Sequence, residues 1–136
     1  MSSLTLIVDE DEATIDLLTA NVKEVSDEIR GLTDPRQVEQ VVAEFKPDLV
    51  LLDLHMPQRD GLEALRSLRR ARKALGYLPV IVLTADSSRT ARNSALILGA
   101  NDFITKPFDR WEVILRVRNL LQTRHLYEDL RNADVR

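Results

Sequence analysis

The 136-residue sequence contains no cysteine, which excludes disulfides, thiolate catalysis and cysteine metal sites. It has no basic segment leading into a long apolar run at its start, and no apolar stretch nears membrane-spanning length. Neither a secretory leader nor a spanning helix is therefore expected, and a cytoplasmic address is the default. An excess of positive charge is missing too. Nineteen lysines and arginines against 22 acids leave a net charge of −3, which offers no general attraction to nucleic acid or to a membrane surface. The basic run Arg66, Arg69, Arg70, Arg72 and Lys73 has no interleaved aromatics and reads as a solvated helix face. What is present, 44% hydrophobic and 30% charged residues, suits a single globular domain able to bury one sizeable core.

Short apolar runs alternate with helix-length amphipathic segments. The runs are 4–8, a weaker one at 28–32, then 48–52, 79–83 and 102–105. Nearly continuous apolar runs of this length predict strands buried on both faces, as in parallel sheets. Asp34-Pro35-Arg36-Gln37 offers an N-cap, a proline at the first helical position and a capping-box glutamine, and Asp109-Arg110-Trp111-Glu112 repeats the logic with glutamate. Gly76 and Gly99 stand where helices should end, each before a strand. Five β-α repeats with right-handed crossovers predict an α/β fold, a doubly wound parallel sheet.

In such a sheet the common strand order 2-1-3-4-5 makes a switch point between the first and third strands, at their carboxyl ends. The apolar run Leu49 to Leu52 leads straight into Asp53, and a carboxylate so placed needs compensating partners. The other strand ends supply them: Asp9 and Glu10 after the first, Thr84 at the fourth, Thr105-Lys106-Pro107 at the fifth. Clustered carboxylates suit a hard divalent cation such as magnesium. Lys106 suits a phosphoryl oxygen, with the Thr84 hydroxyl beside it. A nucleophilic aspartate, magnesium and a lysine fit phosphoryl transfer onto a carboxylate, with Asp53 as the candidate nucleophile. Asp11 and Glu12 read as an acidic first turn that favours the helix dipole. His55 lacks a partner at metal-ligand spacing, since His125 is far away in sequence.

The segments "LIVDEDE" (6–12), "PDLVLLDLHMPQRDGLEALRSLR" (47–69), "PVIVLTA" (79–85) and "GANDFITKPF" (99–108) together resemble the receiver domain of bacterial two-component response regulators, over residues 4 to about 122. The resemblance implies a flavodoxin-like fold phosphorylated at Asp53. It implies magnesium held by Glu10, by Asp53, by the backbone carbonyl of His55 and, through water, by Asp9. Lys106 is then expected to contact the phosphoryl group, with Thr84 swinging toward it as the aromatic residue Phe103 changes rotamer, and a cis bond is expected between Lys106 and Pro107. Lys106 and Thr84 are expected to act after transfer rather than to hold the resting fold together. Two departures stand out: Glu10 where aspartate is commoner, and Phe103 where tyrosine is frequent. Such a chain is a signalling module that catalyses only its own phosphorylation and dephosphorylation. Its partners are a sensor histidine kinase or phosphotransfer protein and an output domain, reached through the face built by the fourth helix, fifth strand and fifth helix. No direct contact with nucleic acid or membrane is expected.

Two other readings are kept beside this one. A pseudo-receiver would bind partners without phosphate, but that normally goes with loss of the acids, Thr or Lys retained here. A haloacid-dehalogenase-type phosphatase also uses a nucleophilic aspartate, but needs a second one two residues later, where His55 stands. At the end of the chain, 1–122 is read as the receiver and 123–136 as a helical extension or the start of a linker. Leu120, Tyr127 and Leu130 have the spacing of one coiled-coil seam, which predicts an exposed apolar strip able to pair in a homodimer. "RVRNLLQTRHLYEDLR" (116–131) resembles receivers joined to HD-GYP-type output domains. Trp111 is expected to be a partly buried packing residue, or a partner contact.

Overall fold

The structure, a computed structural model, describes residues 3–70 and 76–134. Five parallel strands form the main sheet: β1 (Leu4–Val8), β2 (Glu28–Leu32), β3 (Leu49–Asp53), β4 (Val80–Thr84) and β5 (Asp102–Thr105). Their spatial order is β2-β1-β3-β4-β5, and a separate two-stranded ribbon, His55–Met56 with Arg59–Asp60, follows β3. The helices are α1 (Glu12–Val22), α2 (Val38–Phe45), α3 (Gly61–Arg70), α4 (Arg89–Ile97) and α5 (Arg110–Asp134). The fold is the flavodoxin-like doubly wound one expected, and β3 and β4 each begin one residue later than the apolar runs that announced them.

Alternate residues of each strand feed two cores. Leu6, Val8, Val50, Leu52, Val80, Val82 and Phe103 join Val42, Leu65, Leu68 and Ala95 from α2, α3 and α4. Ile7, Leu49, Leu51, Ile81, Leu83 and Ile104 join Ile15 and Leu18 of α1 and Val113, Val117 and Leu121 of α5 on the other face. Period-two alternation inside continuous apolar runs is what a sheet covered on both sides requires. β2 departs from that expectation: Glu28, Arg30 and Gly31 are exposed, because it is an edge strand paired only with β1.

Helix starts follow local hydrogen bonding. Asp11 caps α1 by accepting from the Ala13 N–H, and Ser88 caps α4 by accepting from the Ala91 N–H. Asp34 accepts from the Arg36 N–H, but what it starts is a 3-10 turn over Pro35–Gln37. Gln37 then becomes the first cap of α2 without a side-chain bond of its own, so the predicted capping box does not form. Gly99 has φ +105°, and the Ala100 N–H reaches back to the Ala95 carbonyl at 3.0 Å, closing α4 in a left-handed turn that glycine adopts without a Cβ penalty.

Arg69 corrects the reading of the basic run. Its guanidinium donates to the carbonyls of Gly99 and Leu78 and to Asn101 Oδ1, at 2.7–2.9 Å, stapling α3 to the loops that lead into β4 and β5. Arg72 and Lys73 lie outside the described residues.

The last helix, 25 residues long, is more than twice the length of α1 at 11. Its second half docks beneath the amino-terminal ends of the strands. Arg124 donates to the Tyr77 carbonyl at 2.8 Å and lies 3.4 Å from Asp48, and it pairs with Glu128 one turn on. His125 shares a hydrogen bond of 2.8 Å with Ser3, and the Tyr127 ring tilts against Tyr77 with centroids 5.4 Å apart. The expected strip of Leu120, Tyr127 and Leu130 is therefore divided. Leu120 packs against the α1/α5 core and Tyr127 against Tyr77, while Leu130 is 68% exposed. Leu126 shares that outer face at 64% exposure.

Because the Arg124 side chain is largely enclosed and satisfies a backbone carbonyl, Arg124→Ala should cost roughly 1–3 kcal/mol. Urea unfolding gives that number. Amide exchange should accelerate over residues 122–134 while staying slow at Val113 and Val117, whose burial does not involve Arg124.

Candidate functional site

Four of the five strands end at one rim with polar residues. Asp9 follows β1, held by its own N–H donating to the Leu32 carbonyl at 3.1 Å. Asp53 closes β3, and the next residue, Leu54, continues the ladder to Leu83 of β4. Thr84 lies opposite Thr105 in the register of β4 and β5, and the Lys106 N–H donates to the Thr84 carbonyl at 2.7 Å. The Lys106–Pro107 bond is cis.

Both acids are deeply buried, Asp9 at 0% and Asp53 at 2% relative exposure. The Lys106 ammonium lies between them, 2.8 Å from Asp9 Oδ2 and 3.4 Å from Asp53 Oδ2. The remaining oxygens are also used: Asp9 Oδ1 accepts the Asp11 N–H at 3.0 Å, and Asp53 Oδ1 accepts the His55 N–H at 3.1 Å. Lys106 thus holds the resting site together, contrary to the expectation that it acts only after transfer. A buried carboxylate pair with no cation would be too costly to leave uncompensated.

One ammonium for two carboxylates leaves the cluster negative. Burial pushes the Asp53 carboxyl above its ordinary 3.8, and the Asp9 charge adds to this, against the His55 N–H and Lys106, which lower it. Burial lowers the Lys106 ammonium, but its hydrogen bond to Asp9 and the charges of both acids outweigh it, so the net direction is upward. The two directions agree once the distances are considered: Lys106 gives its closer contact to Asp9, and burial prevails at Asp53.

Glu10 is exposed at the lip of the cluster. Among the described residues no three His, Cys, Asp or Glu side chains stand close enough to form a ready metal group. The donor set nevertheless fits magnesium in kind, with hard carboxylate oxygens, surplus negative charge and an exposed acid beside two buried ones.

Thr84 is wholly buried, with its hydroxyl engaged. Oγ1 accepts the Asp86 N–H at 3.0 Å and shares a hydrogen bond of 3.0 Å with His55 Nε2. Phe103 is turned inward, 6% exposed, with the Arg92 guanidinium 5.7 Å above its ring. Trp111 is 63% exposed, more than its reading as a packing residue foresaw, with Arg110 over its ring. Sequence reasoning missed the His55 ring contact and Arg92. His55 drew attention only as a possible ligand, and nothing in the sequence marks a histidine and a threonine 29 residues apart as partners.

The class this defines is a doubly wound α/β protein with two buried acids and a lysine at its switch point. The chain belongs to the response regulator receiver domain family, whose sequence model matches residues 5–118. It is similar to the receiver domain of the Francisella response regulator 1452, with 26% identity, a TM-score of 0.79 and coverage of 90% of this chain and 98% of that one. It is also similar to the signal receiver domain of a Luxo repressor-type protein from Vibrio parahaemolyticus, with 26% identity, a TM-score of 0.86 and coverage of 96% and 97%. The fold recurs in DrrB of Thermotoga maritima, an OmpR/PhoB homologue, at 23% identity and a TM-score of 0.80, where 90% of this chain matches 54% of that longer one. Members of the family are signalling modules of two-component systems that work with histidine kinases and output domains. Among the described residues, no helix is long and apolar enough to cross a membrane.

Proposed function

We propose that the protein accepts a phosphoryl group on Asp53 from a histidine kinase or phosphotransfer protein, and that this switches its α4-β5-α5 face. The observation that supports it is the buried Asp9–Lys106–Asp53 chain at the switch point. An Asp53 carboxylate oxygen attacks the donor's phosphorus. The new oxygen–phosphorus bond forms as the bond to the donor's nitrogen or oxygen breaks, and that bond's electron pair leaves with the donor. Glu10, Asp53 and the His55 carbonyl would hold magnesium directly and Asp9 through water, and the ion supplies charge neutralisation for the phosphoryl oxygens. Lys106, already beside Asp53, meets one phosphoryl oxygen, and Thr84 another.

Phe103 then changes rotamer, governed by packing and by Arg92 because it has no hydroxyl. Trp111, Leu115, Leu96 and Ile97 are exposed on α4 and α5 and would carry the change to an output domain, proposed to be of HD-GYP type from the resemblance of residues 116–131, or to a second copy of the chain. Residues 1–122 would be the receiver and 123–136 its helical extension. Retention of Asp9, Asp53, Thr84 and Lys106 in one cluster favours this over a phosphate-independent pseudo-receiver.

Incubation with magnesium and acetyl phosphate should add one phosphoryl group by intact mass, and Asp53→Asn should abolish it; equal labelling of the variant would sink the assignment. The same variant should be more stable than the parent at neutral pH. The sign follows from the raised Asp53 carboxyl: its ionised form costs stability above the ordinary carboxylate range, and the cost vanishes as pH falls through about 4. Unfolding curves of both proteins should therefore converge on acidification.

A further inference from the structure

We propose that the His55 ring is a latch on Thr84, holding its hydroxyl in the resting position and competing with the phosphoryl group for it. The inference rests on the phosphoacceptor reading of Asp53, and makes His55 a positioning residue that acts through Thr84. Three observations carry it. His55 Nε2 lies 3.0 Å from Thr84 Oγ1, and among the described residues this buried hydroxyl has one other partner, the Asp86 N–H at 3.0 Å. A hydroxyl has a single proton to donate, and an N–H donor at Asp86 occupies only an acceptor lone pair. The latch takes the ring as protonated at Nδ1, so that Nε2 accepts the Thr84 proton, the same proton a phosphoryl oxygen would receive. Second, the His55 main chain is fixed independently of its ring. Its N–H donates to Asp53 Oδ1 and it starts the short ribbon pairing with Asp60, so changing the side chain leaves the backbone in place. Third, the ring has somewhere to go, since a cleft of about 220 Å³ opens beside it, lined by His55, Asp86, Ala91 and Ser94 among others.

In the resting state the latch satisfies a buried hydroxyl. In the phosphorylated state Thr84 exchanges the ring for a phosphoryl oxygen, and His55 swings into the cleft and toward solvent. The bond therefore sets a threshold, since every ligand that recruits Thr84 must first break it. Without the ring the resting hydroxyl has no acceptor, the resting state loses stability, and phosphoryl-like ligands bind more tightly.

Beryllofluoride with magnesium, titrated by calorimetry, tests this in four proteins. His55→Ala should bind about 2- to 12-fold more tightly than the parent, the equivalent of one net hydrogen bond. His55→Gln, which keeps a polar group at similar reach, should stay near the parent. Thr84→Val should bind more weakly, and adding His55→Ala to it should change nothing further. A second readout needs no phosphate: the His55 Nε2 nitrogen resonance should shift between the parent and Thr84→Val at one fixed pH. An unmoved ring resonance, or an equal effect of His55→Ala with and without Thr84, overturns the latch. A parent that binds no beryllofluoride while its ring resonance responds to Thr84 overturns the phosphoacceptor reading, and with it the competitor that the latch opposes.

Discussion

Lys106→Met should lower stability by roughly 3–5 kcal/mol at neutral pH, the cost of breaking a buried ion pair by removing one partner. Asp9 and Asp53 would stay buried, each retaining only a backbone N–H donor, from Asp11 and from His55, and each facing the other's charge. The pH dependence separates this from lost packing of the lysine stem. In the parent, Lys106 is raised above its ordinary value, so its stabilisation is present below the ordinary lysine range and is lost only in strong alkali. In the variant, two carboxylates without a cation are relieved by protonation, and the gap from the parent should narrow as pH falls from 7 towards about 4. Millimolar magnesium should recover part of the loss, because an ion that binds the folded acids and not the unfolded chain adds to stability. Urea midpoints measured across pH, with and without magnesium, check all three. A gap independent of both pH and magnesium would mean that the stem, not the charge, matters.

Gly61→Ala should cost about 3 kcal/mol and disable phosphorylation as well. A Cβ at Gly61 would stand 2.4 Å from Leu54 Cα, 2.6 Å from the Asp53 carbonyl oxygen and 2.8 Å from that of Leu54. All three are backbone atoms, which cannot rotate aside. The Gly61 N–H also donates to the Leu54 carbonyl at 3.1 Å, so the first turn of α3 is tied to the end of β3 at closest approach. Relief requires the helix to back away, and the site backbone around Asp53 and His55 moves with it. Overpacking against fixed atoms costs about 1–3 kcal/mol or more, and this contact belongs at the upper end. Gly31→Ala is the internal comparison. Its Cβ would meet the side chain of Ile15 at 2.6 Å, so it should cost less and leave phosphorylation intact. Equal losses in the two variants would show that space, not the tie between α3 and the site, governs both.

The predicted sheet was legible because five apolar runs of strand length cannot be buried except on both faces of a sheet. β2 was the weakest run, and its exposed Glu28 and Arg30 show why: an edge strand has one neighbour and less apolar cover to ask for. The site acids, Thr84 and Lys106 were legible because the topology gathers strand ends. Arg69, Arg92, Arg124 and the His55 ring were not. Each is a long or polar side chain with a partner on a different element or loop, 47 residues away for Arg124 and the Tyr77 carbonyl, and no local pattern encodes such a pairing.

By itself the sequence determined the strands of the main sheet and their alternation with helices, and which chemical groups reach the switch-point rim, because periodicity and strand-end chemistry are local properties. Tertiary structure alone decided how those groups are shared: Lys106 between Asp9 and Asp53, Thr84 with His55, and the end of α5 clamped to Tyr77 and Asp48. A charged or polar side chain has several candidate partners of equal chemistry. Only the distances and the burial set by packing the sheet and helices select among them.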